Sequence, residues 1–102
     1  MQTKIEKIDS SSALAIKIID DYSEEELHFL SFREKLALAN ISHPEKKREW
    51  STARVAIKDA LDSLSVPYPG FFKDEHGKSQ SMNGTGYVSL SHTQGYAGAI
   101  FH

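Results

Sequence analysis

The stretch from Ser42 to Leu64 constrains this chain more than any other. Trp50, Ala53, Ile57, Ala60, Leu61 and Leu64 recur at three- and four-residue steps, the period that lines one face of an α-helix. Ser42 and Glu45 form an S-x-x-E pair at the start, which predicts a capping box. Pro44 sits in the first turn, where its missing N–H costs nothing, and Val66-Pro-Tyr-Pro-Gly70 ends the segment. A helix with one apolar face needs a surface to bury it against, and β-type runs at both ends of the chain offer one. Residues 3–8 and 12–19 read as strands around the turn material Asp9-Ser-Ser-Ser12. Residues 87–91 and 96–101 read as two more, joined through Thr93-Gln-Gly95. The implied fold is a single α+β domain over residues 1–102, a small sheet of about five strands covered on one face by two main helices.

The other predicted helix starts at Asp21-Tyr-Ser23. Ser23 and Glu26 make a capping box, and the acidic run Glu24-Glu25-Glu26 suits the positive end of a helix dipole. Leu27, Leu30 and Phe32, then Leu36 and Leu38, supply its apolar positions, with a break near Ser31 that divides it into two short helices. Residues 71–73 and 78–80 read as short extended pieces around Asp74-Glu-His-Gly77, and 81–86 as loop, giving the order ββααβββ.

Composition narrows the function classes. The chain has 102 residues, 39% hydrophobic and 25% charged, as an ordinary soluble globule does. A net charge of -2 gives no general reason to bind nucleic acid or membrane. With no cysteine there are no disulfides, thiolate metal sites or cysteine nucleophiles. The polar N-terminus carries no apolar signal core and no run is long enough to span a bilayer, so the expected location is the cytoplasm.

Three groups of residues could carry chemistry. Ser91-His92 lies at a strand end near Gly95, where a hydroxyl and an imidazole can donate to a phosphate; the plainer alternative is a partly buried histidine completing a hydrogen-bond network. A Ser–His nucleophile fits poorly, because adjacent strand residues face opposite ways. Lys46, Lys47, Arg48, Arg54 and Lys58 lie on the long helix, either as a solvated basic face or as a phosphate clamp. Arg54 stands out because it borders the apolar stripe. Gly77-Lys78 sits in a tight turn from which Lys78 could reach a phosphate, but the rest of a P-loop is missing, which argues against a nucleotide triphosphatase. His28, His43, His76, His92 and His102 show no H-x-x-x-H spacing, so no metal site is expected.

Taken in order, these segments resemble the N-terminal half of the 4′-phosphopantetheinyl transferases of the surfactin-synthetase type. Arg48-Glu-Trp-Ser-Thr-Ala-Arg54-Val-Ala-Ile-Lys58 is similar to the family's helix with a CoA-binding arginine. Asp74-Glu-His-Gly77-Lys78-Ser is similar to its Gly-Lys-Pro turn, with Ser79 in place of the proline. Val88-Ser-Leu-Ser91-His92-Thr-Gln-Gly95-Tyr-Ala-Gly-Ala is similar to its S-x-S-H strand. The match covers roughly residues 30–102. It implies that Arg54 and Lys78 hold the 3′-phosphoadenosine part of coenzyme A, that Ser91 and His92 contact its phosphates, and that Lys47 or Lys46 adds to the basic cleft. It also implies one of two similar α/β halves with coenzyme A between them, and a carrier-protein serine as acceptor of the phosphopantetheine arm. The family's Mg²⁺ motif, Gly-x-Asp-x-Glu, and its W-x-x-K-E-A-x-x-K helix do not occur within residues 1–102. The chain alone is therefore expected to position coenzyme A at most, without holding the metal or moving the proton. The rival expectation is a non-catalytic module that self-associates or pairs with another subunit through its C-terminal strands.

Overall fold

The computed structural model describes residues 4–9, 12–73, 79–81, 88–93 and 95–101. Its elements in chain order are β1 (Lys4–Asp9), β2 (Ser12–Ile18), α1 (Phe32–Ala39), α2 (Pro44–Ser63), β3 (Phe71–Lys73), β4 (Ser79–Ser81), β5 (Val88–Thr93) and β6 (Tyr96–Phe101). The fold is α+β. The two ends of the chain meet in one antiparallel sheet ordered β1-β2-β6-β5, with the terminal hairpins joined along β2 and β6.

That sheet has four strands, where about five were expected. β3 and β4 pair with each other in a separate two-stranded sheet. Each is only three residues long, so the hairpin closes on itself and adds no ladder to the main sheet. The helical layer also differs from expectation. α2 alone lies across the main sheet, while α1 touches α2 and β3 and, among the described residues, no strand of that sheet.

The helix boundaries follow from competing caps. The Ser23–Glu26 box forms, with Glu26 N–H donating to Ser23 Oγ at 3.1 Å and Ser23 N–H to Glu26 Oε1 at 3.0 Å. It closes only a run of turns, however, because the expected break at Ser31 is itself a complete capping box with Glu34 and restarts the helix at Phe32. The restart decides which face is buried. Glu34 goes inward, and Phe32 and Leu36, expected on the apolar face, are 77% and 51% exposed. For α2, the expected Ser42–Glu45 box is replaced by an N-cap at His43 with no side-chain bond. Pro44 disfavours helical geometry in the residue before it, and His43 is accordingly extended at φ −79°, ψ 120°. The far end closes on Ser65 at φ 58°, with Val66 N–H donating to the Leu61 carbonyl at 2.9 Å, a Schellman closure.

Small residues set the packing of α2. Ala13 and Ala15 on β2 and Ala97 and Ala99 on β6 are fully buried or nearly so, facing Ala56 and Ala60 of the helix. Ile57, Leu61, Val88, Phe71 and Phe101 are buried in the same cluster and supply its bulk. Tyr68, Phe71 and Phe101 stack edge to face, with ring centres 5.4 and 6.3 Å apart.

Candidate functional site

α2 delivers Arg54 into the interior. The residue is 6% exposed, and its guanidinium lies over the Trp50 ring at 4.6 Å. Arg54 Nε stands 2.9 Å from Glu34 Oε2, close enough for the charges to pair. The N–H is not well aimed at that oxygen, so Nε is a buried donor without a good hydrogen bond. The same oxygen accepts the Tyr68 hydroxyl at 2.5 Å, while Glu34 Oε1 accepts Ser31 N–H and Ser31 Oγ–H at 3.1 and 3.0 Å. Burial, then the Glu34 charge and hydrogen bond, push the Tyr68 phenol far above its ordinary value, against a smaller lowering by Arg54. The cluster ties α1, α2 and the segment before β3 together. Sequence reasoning named Arg54 and missed Glu34 and Tyr68. The one available signal was the S-x-x-E spacing of Ser31 and Glu34.

The remaining basic residues of α2 do not form one patch. Lys58 Nζ pairs with Asp62 at 2.6 Å, and Arg48 lies 3.9 Å from Asp21. Lys47, at the N-terminal end of the helix, borders a cavity of about 830 Å³ between α1, α2 and the 20–30 segment. Leu27, Leu30 and Leu38 line its apolar part. Lys35, Lys47 and Arg48 line it from the helices, and Asp20, Asp21 and Glu24 from the wall made by the 20–30 segment. That wall is fixed to α2 through Thr52, which is fully buried: Asp20 N–H donates to Thr52 Oγ1 at 3.1 Å, and the Thr52 hydroxyl reaches the Asp20 carbonyl at 3.4 Å. Tyr22 also lines the cavity, and partial burial raises its phenol pKa against a hydrogen bond with Thr52 that lowers it.

Ser91 and His92 lie on β5, where the ladder pairs position 91 with Gly98 and position 92 with Ala97. Ala97 is buried on the helix-covered face, and successive strand positions alternate faces, so the two positions belong to opposite sides of the sheet. Their hairpin reverses between Thr93 and Tyr96 with Gly95 at φ 87°, a conformation glycine adopts without strain. Lys78 and His76 lie outside the described residues. Of the five candidate phosphate contacts, the described side chains are thus Arg54, committed to Glu34, and Lys47, at a cavity that Arg54 does not line. Among the described residues, no three His, Asp or Glu gather as a metal site, and no helix is long and apolar enough to cross a membrane.

No protein-family model matches the chain, and no curated protein matches it.

Proposed function

We propose that the chain is the N-terminal, coenzyme A-positioning half of a 4′-phosphopantetheinyl transferase of the surfactin-synthetase type, acting in the cytoplasm on an acyl or peptidyl carrier protein. The observation that supports this most is the ordered set of three segments around Arg54, Gly77-Lys78 and Ser91-His92. Two of the three fall in one packed unit: the Arg54 segment is a continuous helix lying across the sheet that ends in the Ser91-His92 hairpin. In this reading Lys47, Lys78, Ser91 and His92 contact phosphates. Arg54 reaches coenzyme A only if its pair with Glu34 is exchanged for the ligand; as it stands it fits a positioning role better, holding α1 against α2.

Mg²⁺ belongs to the complete reaction, where it neutralises charge developing on the pyrophosphate. The residues here do not fit it: neither the Gly-x-Asp-x-Glu motif nor a described carboxylate cluster is present to hold it. The chain by itself is therefore inactive in this reading. Calorimetric titration with coenzyme A, with and without Mg²⁺, tests it. Weak binding that ignores Mg²⁺ is the expected result, and tight Mg²⁺-dependent binding contradicts it.

A specific observation favours a second reading, a module that pairs with another copy or subunit. On the face of the sheet away from α2, Ile16, Tyr96 and Ile100 are 38%, 45% and 37% exposed, on adjacent central strands. Light scattering across a concentration series decides this: a monomer at every concentration counts against self-pairing.

A further inference from the structure

We propose that the cavity between α1, α2 and the 20–30 segment binds a small amphiphilic anion, an acyl chain of medium length ending in a carboxylate. The proposal does not rest on the transferase reading. A volume of about 830 Å³ is too large for a bare anion and falls within the range of small-molecule sites. The floor selects the body of the ligand. Leu27 and Leu30 are 7% and 4% exposed, Leu38 is half-buried beside them, and Tyr22 is the one aromatic side chain there. A lining of three leucines and a single aromatic ring suits a chain of methylenes better than a nucleobase held between stacked rings.

The walls select the head. Lys35 from α1 and Lys47 from α2 both border the opening, and neither ammonium has an ion-pair partner among the described residues. One of the three acids on the 20–30 segment is already paired: Asp21 faces Arg48 at 3.9 Å, which leaves Glu24 and Asp20, whose Oδ1 accepts the Asp21 N–H at 2.8 Å but keeps its charge. Two unpaired cations on the helices and two unpaired acids on the 20–30 segment set up a field across the cavity that draws a carboxylate toward the helices and leaves its chain on the leucines.

Methyl-resolved NMR of the full chain, titrated with octanoate, tests the assignment. Saturable shifts of Leu27, Leu30 and Leu38 are expected, with octanol and acetate each binding at least roughly tenfold more weakly because each lacks one half of the recognition. A Lys35→Gln/Lys47→Gln variant, exposed at both positions and so expected to keep its melting temperature, loses about tenfold in octanoate affinity. Three results overturn the proposal. Methyl shifts confined to Ile16 and Ile100 place octanoate on the open sheet face. Equal affinity for octanol and octanoate removes the lysines from recognition. Displacement by coenzyme A makes the cavity part of a coenzyme A cleft, a result that leaves the transferase reading standing while this one falls.

Discussion

The two faces of the main sheet invert the usual relation between size and burial. On the face under α2 the best-buried strand residues are alanines, Ala13, Ala15, Ala97 and Ala99. On the opposite face stand Leu14, Ile16, Ile18, Tyr96 and Ile100, of which Ile16, Tyr96 and Ile100 are exposed. Methyl-sized side chains leave room for the α2 backbone to approach the sheet, and α2 contributes Ala56 and Ala60 to the same apolar cluster. The covered side thus gains stability from close approach and from the Glu34–Arg54–Tyr68 cluster at its margin. The open side carries β-branched residues that satisfy the strands but bury little. Stability is therefore concentrated on the covered side, while the open side presents Ile16, Tyr96 and Ile100 outward.

The largest expected effect breaks the covered side. Glu34→Ala leaves the Arg54 guanidinium buried without its counter-charge, at a cost of roughly 3–5 kcal/mol. For a domain whose whole stability is on the order of 5–15 kcal/mol, urea denaturation should find this variant close to unfolding. Glu34→Leu combined with Arg54→Leu should recover most of the loss, because it removes both charges together. A single-variant loss under about 1 kcal/mol would mean that water reaches the cluster, and the contrast between the faces would then rest on the alanines alone. The cluster also predicts a pH dependence. Its folded state holds the Tyr68 phenol far above the unfolded value of about 10, so this contribution is complete below pH 10 and declines above it, as the unfolded chain ionises and the folded one does not. Tyr68→Phe should flatten the alkaline limb of the stability curve.

Next in size is Ala99→Leu. Added methylenes under α2 have nowhere to go, and overpacking of this kind costs typically about 1–3 kcal/mol. A change near zero in the denaturation midpoint would show that α2 can move away from the sheet, and the alanine face would lose its meaning.

These effects mark what was legible in the sequence. The α2 stripe was visible because burial on one side of a helix imprints a period of three to four residues. The hairpins were visible because apolar runs bracket turn residues. Which face of the sheet α2 would take was not, since Leu14, Ile16 and Ile18 look as core-like in sequence as Ala13 and Ala15. Nor was the inward turn of Glu34, which depends on Ser31 restarting the helix and on Arg54 and Tyr68 arriving from distant segments. Of the candidate site, sequence reasoning placed Arg54 on the correct helix and at the edge of its apolar stripe. It did not separate Arg54 from Lys47, because only the packing of α1 against α2 sends one inward and leaves the other at a cavity.

The smallest stability effect carries the most information about the open face. Ile16→Thr keeps a β-branched residue in the strand, so propensity barely changes. At a position already 38% exposed, the expected cost in a dilute monomer is within about 0.5 kcal/mol. If the face is covered by a second copy, the same change removes apolar area from an interface and adds a hydroxyl to it, so the midpoint should fall more at high protein concentration than at low. Denaturation of the native and variant chains at two concentrations therefore separates the cases. Equal, small shifts at both keep the open face open. A shift that grows with concentration turns it into an interface, and the two sides of the sheet would then differ in what buries them rather than in whether they are buried.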